Sequence, residues 1–118
     1  MMRIRGSPLL ILVILLLGVT AGCVSASIGQ VRYHNQTLLI QATNEDVTQQ
    51  AVLQVTVDQI RNFHQYNVFR RADFIEFKSG AAEYGIPVTL EPGNYKVYIY
   101  IIVDGDSKAR VIRDLTVE

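Results

Sequence analysis

Tyr95, Val97, Ile99, Ile101 and Val103 occupy every second position of a nine-residue run that contains no glycine, proline or acidic side chain. Alternate side chains of a strand fall on opposite faces, so this spacing buries one row and turns Lys96, Tyr98, Tyr100 and Ile102 the other way. A helix would scatter the same residues around its circumference. From Gln30 onward no stretch keeps helical periodicity for three turns, while Val, Ile, Thr, Tyr and Phe abound and turn residues recur about every eight to fourteen positions. The chain is therefore expected to be all-β, a sandwich or barrel.

Further strands follow from the same rule. Val31 to Tyr33 reads as a first strand turned by His34-Asn35-Gln36, after which Leu38, Ile40 and Ala42 form one apolar face that ends at Asn44-Glu45-Asp46. Leu53, Val55 and Val57 point inward in the next. Asn62 to Asn67 reads as a bend or bulge, and Val68 to Phe77 as an edge strand guarded by Arg70, Arg71 and Lys78. Tyr84, Ile86, Val88 and Leu90 form another inward row, in which Pro87 has no N–H to give and so requires an edge or a bulge. Asp104-Gly105-Asp106 then turns the strongest strand back into Ala109 to Val117, because glycine accepts the positive φ of a primed hairpin turn. This makes seven strands.

The N-terminus is of a different kind. Arg3 and Arg5 precede an apolar run from Leu9 to Val19, well below the ~20 residues a helix needs to cross hydrocarbon, and Thr20-Ala21-Gly22-Cys23 closes it with small residues and a thiol. The run reads as a secretion signal. Three processing outcomes fit it: cleavage before Cys23 with lipid on the sulfur, cleavage elsewhere such as after Ala26, or retention as an uncleaved helix. Cys23 is the only cysteine, which excludes an internal disulfide and any multi-thiolate metal site. A lone thiol is a liability in an oxidising compartment, and lipidation would block it.

Removing residues 1–22 leaves 96, enough for one domain with a two-layer core. Nine basic side chains then face eleven acidic ones, a balance without the basic stripe that nucleic-acid binding needs. The expected organisation is a signal peptide over 1–22, a lipid-anchored tether over 23–29 and a β-sandwich over 30–118, placed outside the cytoplasm.

Two strings carry resemblances. The small residues before Cys23 resemble the lipobox of prokaryotic lipoproteins, with Thr20 where an aliphatic residue is usual, a variation tolerated in archaeal lipoproteins. Leu90-Glu91-Pro92-Gly93-Asn94-Tyr95-Lys96-Val97 resembles the L-x-P-G-x-Y-x-V corner of extracellular immunoglobulin-like modules in prokaryotes, among them CARDB and collagen-adhesin B-type domains. That likeness runs over roughly Thr37 to Val117. It implies an immunoglobulin-like sandwich in which Leu90, Pro92 and Gly93 make a tight link between sheets and the Tyr95 hydroxyl bonds the corner backbone. It implies a fold and a surface location, with no ligand. The inter-sheet disulfide and buried Trp of antibody domains are both missing.

Candidate sites are few. Tyr98 and Tyr100, with Ile102, would face outward if their neighbours fill the core; they either form a partner-binding patch, the best candidate binding face, or pack across strands and simply stabilise the sheet surface. Asn35-Gln36-Thr37 fits the glycosylation acceptor rule at Asn35. His34 and His64 lie too far apart in sequence to suggest zinc. Asp104 and Asp106, joined by Asp58, Glu45 or Asp46, fall short of the ~6–8 oxygens calcium takes, so no metal or cofactor is expected. Asp73, Glu76 and Glu83 read as solvated edge charges rather than a catalytic pair, and no enzyme is expected. The expected role is a non-catalytic interaction or structural module, bound to the membrane by its lipid and to an envelope protein or glycan. The alternatives are an accessory subunit held by an uncleaved helix and a small-ligand or calcium-binding lipoprotein.

Overall fold

In a computed structural model, which describes residues 25–118, the alternation becomes seven strands: β1 (Ala26–His34), β2 (Thr37–Asn44), β3 (Gln49–Arg61), β4 (His64–Phe77), β5 (Gly80–Pro87), β6 (Gly93–Val103) and β7 (Asp106–Val117). The signal peptide and Cys23 lie outside the described residues. Every neighbouring pair is antiparallel, and the strands form two sheets, β1-β2-β5 and β4-β3-β6-β7. In immunoglobulin lettering these are ABE and C′CFG, an immunoglobulin-like sandwich whose fourth strand sits on the larger sheet.

The inward rows meet in one core. Leu38 and Ile40 of β2 and Ile86 of β5 pack against Leu53, Val55 and Val57 of β3 and Val97, Ile99 and Ile101 of β6, nearly all without solvent exposure. Burying each such side chain stabilises the fold by roughly 1.5–3 kcal/mol, which explains how the domain holds without a disulfide. Asn44 is the one buried polar residue among the described residues. Its carboxamide donates to the Val47 carbonyl at 3.0 Å and the Phe77 carbonyl at 3.1 Å, and accepts from the Asp46 N–H at 2.9 Å. One side chain of the smaller sheet thus closes the loop to β3 and grips the end of β4 in the larger sheet.

Two expectations change. Ala26, Ser27 and Ile28 pair with Asn44, Thr43 and Ala42, so Ala26–Gly29 belongs to β1 and not to a tether. The small residues can join the sheet because Ile28 gains a place in the core, and a bulge between Ile28 and Val31 then restores the inward parity of Val31 and Tyr33. The segment Asn62–Asn67 resolves into a tight turn at Asn62-Phe63 followed directly by β4, which starts at His64. The irregularity lies after it: Asp58 pairs with Asn67 and Val57 with Phe69, leaving Val68 as the extra residue. The Asn67 carboxamide stitches that bulge, donating to Asp58 at 3.0 Å and to the Phe69 carbonyl at 3.2 Å.

Three hairpins turn through paired positive φ values: Asn35-Gln36 (51° and 57°), Asn62-Phe63 (51° and 65°) and Asp104-Gly105 (51° and 80°). All are of the primed kind that matches strand twist, yet only the last has glycine. A side chain in this region costs roughly 1–2 kcal/mol, so Gln36 and Phe63 are held there by the strands on either side.

The edges are protected. On β4, Arg71 and Asp73 take inward positions opposite Val55 and Leu53 and form an ion pair at 2.8 Å, placing charge where another strand would need an apolar partner. On the other side Arg113 of β7 donates to the carbonyls of Gly29 and Ile28, at 3.2 and 3.0 Å, and closes the sandwich along the bulge of β1.

Candidate functional site

The outer face of the four-stranded sheet is assembled by register. β3 runs between β4 and β6, so Phe74, Val52 and Ile102 lie in one row across three strands. The next row is Ala72, Gln54, Tyr100 and Arg110, and the one beyond it Arg70, Thr56, Tyr98 and Ile112. The three residues expected on the face are all there, each partly exposed. Phe74 and Ile112, 87% and 57% exposed, extend it to both edge strands and complete an apolar and aromatic surface.

Its polar atoms are arranged around that surface. Tyr98 donates from its hydroxyl to Gln65 Oε1 at 2.8 Å, tying the face to the start of β4. Lys96 and Asp114 pair at 2.8 Å in the row below, and the Asp114 hydrogen bond holds the Lys96 ammonium above its ordinary pKa. Arg70 and Arg110, on opposite sides of the two tyrosines, form no ion pair among the described residues. A shallow hollow beside Tyr100 is lined by Arg110, Val111 and Ile112. Tyrosine and arginine are the residue types that most often carry binding energy at interfaces, and here both stand on a rigid sheet.

At the far end of the sandwich two tyrosines hold the crossover between sheets. Tyr95 is buried in the same core as Leu90, and its hydroxyl donates to the Glu91 carbonyl. Burial, with Glu91 nearby, pushes the Tyr95 phenol above its usual pKa. Pro92 is exposed, and Gly93 takes a positive φ of 156°, where a Cβ would also lie 3.1 Å from Gln59 Nε2. Sequence reasoning missed Tyr33, which does the same from the other sheet: its hydroxyl accepts from the Leu90 N–H and donates to the Val88 carbonyl, both at 2.9 Å. Nothing local in β1 marks it, because its partners lie more than fifty residues away.

The remaining candidates do not converge. Asn35 is exposed at the first hairpin turn with Thr37 beside it, the Thr37 hydroxyl donating to the Asn35 carbonyl at 3.2 Å. His34 and His64 sit at that same end on different sheets. Asp104 and Asp106 share the opposite end with Glu45 and Asp46, whereas Asp58 lies along β3 beside Asn67. No group of three or more His, Cys, Asp or Glu is placed to hold a metal among the described residues. Asp73 and Glu83 are each paired with an arginine, Arg71 at 2.8 Å and Arg32 at 3.0 Å, rather than with a second carboxylate.

No protein-family model matches the sequence, and no curated protein matches it. Among solved structures the fold is similar to part of a Bacteroides fragilis protein assigned as a beta-galactosidase, at 15% identity and a TM-score of 0.51, covering 79% of this chain and 16% of that one. It is also similar to part of a glycosyl hydrolase family 2 member from Bacteroides cellulosilyticus, at 13% identity and a TM-score of 0.54, covering 78% and 15%. The chain spans less than a fifth of the length of these enzymes. The likeness is one of fold, at the scale of a single sandwich.

Proposed function

We propose that this chain is a non-catalytic interaction module of the cell envelope, held at a membrane by lipid on Cys23, that engages an envelope protein or glycan through the outer face of its four-stranded sheet. The observation that carries the reading is the continuous surface of Phe74, Val52, Ile102, Tyr100, Tyr98 and Ile112. The fold does not require it, since the core is complete on the other side of the same strands. The fold likeness to a small part of much larger glycosidases accords with a module that works beside other components rather than alone.

Two measurements test this. A photo-crosslinking residue at position 100 should yield a specific adduct in intact cells, and the same residue at Gln41 on the opposite sheet should not; equal labelling from both sites would sink the binding face. Intact mass of membrane-extracted protein should give a lipidated chain beginning at Cys23. A mass starting near Met1 would replace the lipid with an uncleaved helix and favour the accessory-subunit reading.

A further inference from the structure

The β3–β4 hairpin ends in the most exposed large apolar side chain of the described residues. Phe63 is wholly exposed and sits at φ 65°, where the turn prefers glycine. It packs in no core, and its backbone is strained, so folding does not account for it. Around it the residues are chemically one-sided: from Gln59 to Ala72 there are three arginines, His64 and no carboxylate, although the whole chain is formally neutral. Asn62 supplies a carboxamide at the turn itself, and Gln65 keeps its amide N–H donors while its Oε1 accepts from Tyr98. Arg61 is pre-positioned over the Tyr66 ring, its guanidinium carbon 4.6 Å from the centroid, and His64 stands edge-on to the same ring at 6.4 Å.

The tip also points in a definite direction. The chain enters the sandwich at Ala26, beside the start of β3, and β3 carries the tip about 40 Å away at ~3.3 Å per residue over its 13 residues. Whatever holds the N-terminus, Phe63 is presented at the other end.

We infer that this tip is a second, separate binding site, for an acidic polysaccharide. An exposed aromatic ring offers its electron-rich face to the C–H groups of a pyranose ring, which needs no preformed pocket. Carboxamides match pairs of sugar hydroxyls as donor and acceptor together. A guanidinium already held in place takes a carboxylate through two parallel N–H bonds, and no acidic residue follows along the hairpin until Asp73, while Asp58 just before it is engaged by Asn67. An exposed tip with this inventory fits a carboxylated glycan better than an apolar protein groove, which would leave the Arg61 guanidinium and the Asn62 amide without partners.

The chain has no tryptophan, so Phe63→Trp in the detergent-solubilised full chain gives a reporter at this one position. Titration with an oligogalacturonate should change its emission, and a neutral galactose oligomer of equal length should bind at least about tenfold more weakly. Phe63→Gly, followed by amide NMR shifts of the hairpin, should weaken the oligogalacturonate at least about tenfold without lowering the melting temperature. Arg61→Gln should remove the preference for the acidic oligomer, and Tyr100→Ser should leave the tip titration unchanged, which separates this site from the sheet face. If Phe63→Gly binds as well as the parent, the contact is plain attraction of a polyanion and the site is refuted. Silence of the reporter with both oligomers refutes it as well.

Discussion

The two outer surfaces of this sandwich differ far more than the two inner ones. Inside, Leu38, Ile40 and Ile86 of the smaller sheet meet Leu53, Val55, Val97 and Ile99 of the larger in one aliphatic core. Outside, the three-stranded sheet shows Ser27, Gln41, Thr43, Ala81 and Gly85 with a single large apolar residue, Leu39, and is crossed by the Arg32–Glu83 ion pair at 3.0 Å. The four-stranded sheet shows Phe74, Val52, Ile102, two tyrosines and Ile112. Strand geometry alone sets the interior, because every second residue must be buried. It places far weaker demands on the exterior, where cross-strand pairs contribute little each, so a large contiguous apolar face there points beyond folding.

The largest effects should be blind to this difference. Leu38→Ala in the smaller sheet and Ile99→Ala in the larger should each cost about 2–5 kcal/mol in urea unfolding, since both empty the same core. A clearly milder loss from one sheet would mean that the sheets do not share one interior. Asn44→Ala should follow at about 1–3 kcal/mol, leaving the Val47 and Phe77 carbonyls without their donor.

Smaller effects should begin to separate the regions. Tyr95→Phe removes one hydrogen bond at the crossover and should cost about 0.5–1.5 kcal/mol. The native state holds the Tyr95 proton more tightly than the unfolded chain does, because its pKa is raised in the fold. Its contribution is therefore intact below the ordinary phenol value of about 10 and is lost as pH rises through the folded value. Unfolding measured from pH 9 upward should fall more steeply for the parent than for Tyr95→Phe, with Lys96 contributing equally to both; parallel curves would contradict the shift.

The smallest effect on stability is the most telling for function. Phe74→Ser with Ile112→Ser should move the unfolding midpoint by no more than about 0.5 kcal/mol per site, as surface changes do, yet abolish crosslinking from position 100. Arg32→Gln on the other sheet should cost under about 1 kcal/mol and leave crosslinking intact. If both variants retained the adduct, the contrast between the faces would carry no binding.

Parity made much of this legible in the sequence. Tyr98, Tyr100 and Ile102 had to oppose Val97, Ile99 and Ile101 once the latter were inside. The register of β3 with β4 could not be read, because a bulge at Val68 shifts it and nothing in a single strand announces its partner; Phe74 and Ile112 therefore joined the face only in three dimensions. The turn at Asn62-Phe63 was hidden for a related reason. Asp104-Gly105 advertises itself through glycine, whereas a phenylalanine at the equivalent position reads as part of a strand. Tyr33 and Asn44 look like ordinary strand residues until their distant carbonyl partners are brought to them.

Because β1 begins at one end and Phe63 stands at the other, a pull between the N-terminus and the tip runs parallel to the strands. Traction of that kind loads the β1–β2 ladder in shear, straining its bonds together, whereas peeling from a side would open them one after another. A sandwich connected this way can serve as a stiff spacer under tension, and its rupture force should depend on which two points are held.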